Sequence, residues 1–120
     1  MKHPIPIHDA TAPIACTAGA AELPARKEQI ARLRSFGPAV ERTEHGMLLH
    51  FVDGGEVAAE LADFVVAEQG CCAFWGFEIA TAEGSRTLRW DGPPAVGGIL
   101  DQLTAFFEGD AELDLLEGLL

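Results

Sequence analysis

Residues 57–77 read Val57-Ala58-Ala59-Glu60-Leu61-Ala62-Asp63-Phe64-Val65-Val66-Ala67-Glu68-Gln69-Gly70-Cys71-Cys72-Ala73-Phe74-Trp75-Gly76-Phe77, and the hydrophobic period changes within them. With Val57 at zero on a wheel of about 100° per residue, Leu61 falls at about 40°, Phe64 at about −20° and Val65 at about 80°, which is one apolar stripe. From Phe74 to Ala80 the pattern alternates instead, with Trp75, Phe77 and Ile79 on one side, the period of a strand. Glu68 lies at about 20°, inside the apolar stripe, and a continued turn puts Cys71 and Cys72 at about −40° and 60°, on either side of it. A carboxylate and two thiols therefore share the face expected to be buried. A break of this kind in an otherwise consistent pattern marks a candidate functional site.

Working outward, Asp53-Gly54-Gly55 is a turn into this helix, with Asp53 read as its cap, Glu56 complementing its first-turn dipole and Gly70 as its stop. Upstream, Ala39 to Glu44 and Met47 to Val52 form a hairpin around His45-Gly46. Met47, Leu49 and Phe51 point one way, and Leu48, His50 and Val52 the other, so the second strand is expected to be an inner one covered on both faces. That places His50 among aliphatics as a core histidine, with ligand or base as its alternative roles. Leu23 to Phe36 is helical, starting near Pro24 and ended by Gly37-Pro38. Its Arg26, Lys27, Arg32 and Arg34 form a solvated face or a partner for an acidic neighbour.

Downstream, Glu83-Gly84 turns the chain into a return strand, Arg86 to Trp90, with Leu88 and Trp90 inward. After Asp91-Gly92-Pro93-Pro94, the residues Val96, Ile99, Leu100, Leu103, Phe106 and Phe107 hold helical spacing. Gly46 and Asp53-Gly54 recur as Gly84 and Asp91-Gly92, which points to a helix–hairpin unit used twice. Residues 1–12 read as an extended arm with two histidines, Pro13 to Thr17 as a first strand ending near Cys16, and residues 110–120 as an acidic, leucine-bearing tail. The expected fold is α+β: a single two-layer domain over residues 13–120. Its antiparallel sheet of four to five strands carries two to three helices on one face.

The chain has 120 residues, enough for one domain with a real core. Nineteen Asp and Glu against eight Lys and Arg give a formal net charge of −11. Such a surface repels phosphate backbones and anionic lipid, so neither nucleic acid nor a membrane surface is an expected partner. No run has the apolar length of a membrane span, and the Pro-punctuated N-terminus lacks a signal-peptide core. A cytoplasmic protein with reduced thiols is the expectation.

Three cysteines are too few for a disulfide scaffold and enough for a three-thiol site. Structural zinc favours four ligands in spaced pairs. Here Cys71 and Cys72 are vicinal, Cys16 is far upstream and no fourth thiol exists. Thiolates select soft ions, and three of them suit Hg(II), As(III) or Cu(I), with zinc admissible if Glu68 or His50 completes a tetrahedron. A helix C-terminus carries negative partial charge, which disfavours a free thiolate and favours a bound cation. Ion binding releases thiol protons, so Glu68 is placed to accept one. Cysteines that merely fill core volume, or a reactive nucleophile, are the competing readings.

The Cys16-Thr17 step, together with Glu68, Cys71, Cys72, Phe74 and Phe77, resembles a group of small bacterial proteins found near mercury and other heavy-metal resistance functions. The hairpin at Gly46 and the helix start at Pro93-Pro94 are similar too. The resemblance implies handling of a soft metal or metalloid. The long N-terminal arm, the acidic tail and Gly70 directly before the cysteine pair depart from that group's pattern.

The expected function is therefore binding of a soft thiophilic ion through Cys16, Cys71 and Cys72 with Glu68 beside them, as a cytosolic scavenger or carrier. Two readings of other classes stand beside it. One is a thiol enzyme with Glu68 or His50 as base, and the other is a non-catalytic module that forms a homodimer through a strand edge or the tail.

Overall fold

The computed structural model describes residues 23–71 and 74–109. In chain order these form α1 (Leu23–Ser35), β1 (Ala39–Arg42), β2 (Gly46–Val52), α2 (Gly55–Cys71), β3 (Gly76–Ala82), β4 (Ser85–Asp91), a 3-10 turn (Pro94–Val96) and α3 (Gly97–Glu108). The expected first strand, the N-terminal arm and the acidic tail lie outside the described residues.

The strands make one antiparallel sheet in the order β1-β2-β4-β3. The two hairpins meet through their second strands, β2 and β4, with Met47 opposite Trp90 and Leu49 opposite Leu88. Each hairpin is preceded and followed by a helix, the arrangement expected of a repeated helix–hairpin unit.

The alternation of β2 and β4 fixes which face is covered. Met47, Leu49, Phe51, Leu88 and Trp90 are all buried on one face, against Ile30 and Leu33 of α1, Leu61 and Phe64 of α2, and Leu100, Leu103 and Phe107 of α3. At roughly 25 cal/mol per Å², apolar burial of this kind is the main stabilising contribution. The result is two layers with the helices on one side, as expected. No helix of the described residues is long and apolar enough to cross a membrane.

Two glycines have specific tasks. Gly37 ends α1 at φ 69°, the left-handed region, and its N–H donates to the Arg34 carbonyl. Gly46 lets β2 approach β4, since a Cβ there would stand 1.8 Å from the Trp90 carbonyl oxygen. Arg42 braces the same turn, donating to the carbonyls of Thr43 at 2.7 Å and Gly46 at 2.6 Å while its Nε reaches Asp101 of α3 at 3.0 Å. On α1, Arg32 pairs with Glu28 of the same helix and with Glu60 of α2, the acidic-neighbour alternative for that basic face.

Three local expectations are corrected. Gly70 does not stop α2, which continues to Cys71. Glycine ends a helix by taking positive φ, as Gly37 does, and inside one it costs only about 1 kcal/mol relative to alanine. Asp53 does not cap α2. It accepts from the Gly54 N–H at 2.9 Å and from Arg86 Nε at 2.7 Å, tying the start of α2 to β4. The far face of β2 is not a second core: Val52 is 81% exposed, and His50 is only half-buried.

Candidate functional site

The last turn of α2 holds two of the expected ligand positions, Glu68 and Cys71. Val57, Leu61 and Phe64 point into the core, and Glu68 continues their stripe at 1% exposure, among the largest fully buried side chains. Cys71 is the final residue of the helix, three positions after Glu68, so its Cα lies on the neighbouring part of the same face. No basic residue occupies this last turn, whereas α1 carries Arg32 and Arg34 in its own. A buried carboxylate at the negative end of a helix dipole is a costly arrangement unless it is paired.

Aromatic side chains bracket the junction between α2 and β3. Phe64 precedes it, and Phe74, Trp75 and Phe77 follow. Phe74 and Trp75 are buried with ring centroids 4.6 Å apart, and Trp75 stands edge-on to Trp90 at 5.4 Å. Trp90 also meets Phe64 and Phe77, each at 5.2 Å. The Trp90 Nε1 donor is fully buried with no hydrogen-bond partner among the described residues. The described residues on either side of this junction are thus rich in π surface and largely buried.

Of the four expected ligands, the structure places the Glu68 side chain and the backbone of Cys71. The expectations for Cys16 and Cys72 lie outside the described residues. Among the described residues no cluster of three or more His, Cys, Asp or Glu gathers as a metal site.

His50 belongs elsewhere. It projects from the sheet face opposite the helices, and its side chain is 41% exposed, so it is not a core histidine. Its Nδ1 lies 3.2 Å from Thr87 Oγ1 and its Nε2 3.5 Å from Glu41 Oε1. The sheet separates it from the stripe that carries Glu68, which removes it as a fourth ligand or base for that site. The cross-strand register explains the placement, since His50 faces Ala39 on β1 and Thr87 on β4.

Two polar features were not anticipated from the sequence. Arg89 donates from Nε at 3.1 Å and Nη2 at 2.7 Å to Asp91 Oδ2, and Asp91 is fully buried. Asp91 ends β4 between Gly46 and Gly76 of the two flanking strands. Alternation puts Arg89 and Asp91 on one face, but nothing local in the sequence signals that Asp91 is buried. The second is a shallow cleft of about 80 Å³ between the β1–β2 turn and the start of α3, lined by Arg42, His45, Pro93, Pro94 and Gly97 among others. It is small, and its Arg42 is already committed to the turn and to Asp101.

No protein-family model, no curated protein and no solved structure matches this chain.

Proposed function

We propose that this protein binds a soft thiophilic metal or metalloid ion, with Hg(II), As(III) or Cu(I) as the candidates, and acts in the cytosol as a scavenger or carrier. In this reading Cys16, Cys71 and Cys72 supply thiolates and Glu68 takes up a proton released on binding or orients a sulfur. The resemblance to proteins found near heavy-metal resistance functions points the same way.

One observation carries the reading. Glu68 is buried on the apolar stripe of α2, three residues before Cys71, in a last turn that has no basic residue. In this reading the negative end of the helix dipole favours a cation beside Glu68, and the sulfur ligands make it a soft one. The same sign argument weighs against a nucleophilic cysteine, because a helix C-terminus raises the free energy of an unbound thiolate.

Anaerobic titration of the reduced protein tests the proposal. Hg(II), Cu(I) or arsenite is expected to produce a thiolate-to-metal charge-transfer band that saturates at one equivalent. Quenching of Trp75 and Trp90 should follow the same curve. C71S and C16S should each weaken binding severely. No band and no change in the melting curve with any of the three ions would overturn the reading. One alkylation-sensitive cysteine of depressed pKa would replace it with the thiol-enzyme alternative.

A further inference from the structure

β3 stands last in the sheet order and, among the described strands, pairs only with β4. Its register with β4 runs unbroken from Gly76 to Ala82, and Glu78 through Ala82 are exposed, including residues of both faces. Exposed edges are commonly guarded by shortness, proline, lysine, a bulge or a covering element. β1, at the opposite edge, is guarded: it is four residues long, carries Glu41 and Arg42, and α3 packs against it. β3 is seven residues long with no proline and no basic side chain, its one charge is Glu78, and among the described residues no strand pairs with its outer edge.

The strand is also self-complementary. A two-fold axis through Ile79, normal to the sheet, pairs all seven residues with those of a second copy. Ile79 then faces Ile79, Glu78 faces Ala80, Phe77 faces Thr81 and Gly76 faces Ala82. No carboxylate stands directly opposite another, and each Glu78 keeps Arg89 as its cross-strand neighbour on β4. Ile79 is one of three large hydrophobic side chains exposed among the described residues. A second, Val66, lies on α2, the helix that packs on β3.

We infer that the protein forms a homodimer by antiparallel pairing of β3 with β3 of a second copy, which joins two four-stranded sheets into one of eight. Backbone pairing along one strand is a small interface, so the dimer is weak and concentration-dependent. A net charge of −11 on each chain opposes it, so added salt favours it. This goes beyond the ion-binding proposal and does not depend on it.

Sedimentation equilibrium of the full, metal-free chain over a range of concentration and salt tests the inference. The wild type should shift from monomer toward dimer as either rises. A80E sets a carboxylate opposite the partner's Glu78 and should leave only monomer, with an unchanged circular dichroism spectrum. A80K, of equal bulk, sets an opposite charge there and should keep or tighten the dimer. E78K/A80E should restore it. A wild type that stays monomeric at sub-millimolar concentration and high salt overturns the inference, as does equal weakening by A80E and A80K, or a dimer that survives A80E. The edge would then be left for a strand of another protein.

Discussion

Arg89 reaches Asp91 with two nitrogens of one guanidinium, Nε at 3.1 Å and Nη2 at 2.7 Å, across a two-residue step along β4. The arginine side chain is 15% exposed and the aspartate fully buried, so this ion pair sits largely out of water. Removing either partner breaks a charge pair that is largely out of water. R89M and D91A are each expected to destabilise the fold by about 3–5 kcal/mol, with the double variant costing less than their sum. Urea unfolding of the four proteins in that cycle measures it, and strictly additive losses would show that the pair does not act as one unit.

Gly46 and Gly98 provide a contrast between packed and open backbone. A Cβ at Gly46 would meet the Trp90 carbonyl oxygen at 1.8 Å and the Asp91 Cα at 2.7 Å, both main-chain atoms that cannot swing away. G46A should separate β2 from β4 and lose about 3 kcal/mol. Gly98 lies within α3 and has open space around it, so G98A should gain roughly 0.5–1 kcal/mol from helix propensity. Thermal unfolding should move the two variants in opposite directions.

Asp53 makes stability depend on acid. The hydrogen bond from Arg86 holds its carboxyl below the usual 3.8, helped by the Gly54 N–H and the arginine's charge, while burial pulls the other way. A carboxylate depressed on folding stabilises the native state fully above its unfolded pKa, and that contribution is lost as pH falls through the folded value. The wild type should therefore lose stability below about pH 4 more steeply than D53N, whose melting temperature should be flatter there. Parallel curves for the two proteins would show that this pair contributes nothing to the acid transition.

Glu68 separates ion binding from simple packing. E68Q keeps the side-chain shape and removes the negative charge, and on the ion-binding proposal it should weaken uptake of Hg(II) or Cu(I) by about 10–100-fold, the usual cost of altering a residue that supports metal ligands. The number of protons released per ion bound should change as well. Affinity and proton release identical to wild type would leave Glu68 no part in the site.

The distribution of apolar residues was enough to define the layers. Alternation in Arg86–Trp90 and the three-to-four spacing in α2 and α3 each assign a buried face from local sequence, because burial of a contiguous apolar face dominates the energetics, whereas Met47–Val52, apolar on both sides, reads as covered on both. The same reasoning placed Glu68 on the inward stripe of α2, where it is found. Local reading failed where local chemistry is degenerate. Gly70 has the composition of a stop yet lies within α2, and Asp53 has that of a cap yet serves Arg86.

The sequence by itself determined the two-layer α+β plan, the inward faces and the anomaly of a carboxylate beside two cysteines on an apolar stripe. Tertiary structure alone decided the sheet order β1-β2-β4-β3, and the other outcomes follow from it. With β2 and β4 at the centre, His50 comes between Glu41 and Thr87 on the side away from the helices, Asp91 is enclosed between Gly46 and Gly76, and β3 is left at the rim. Those contacts join residues far apart in the chain. Their free energy depends on which strands become neighbours, and no local pattern of side chains encodes that.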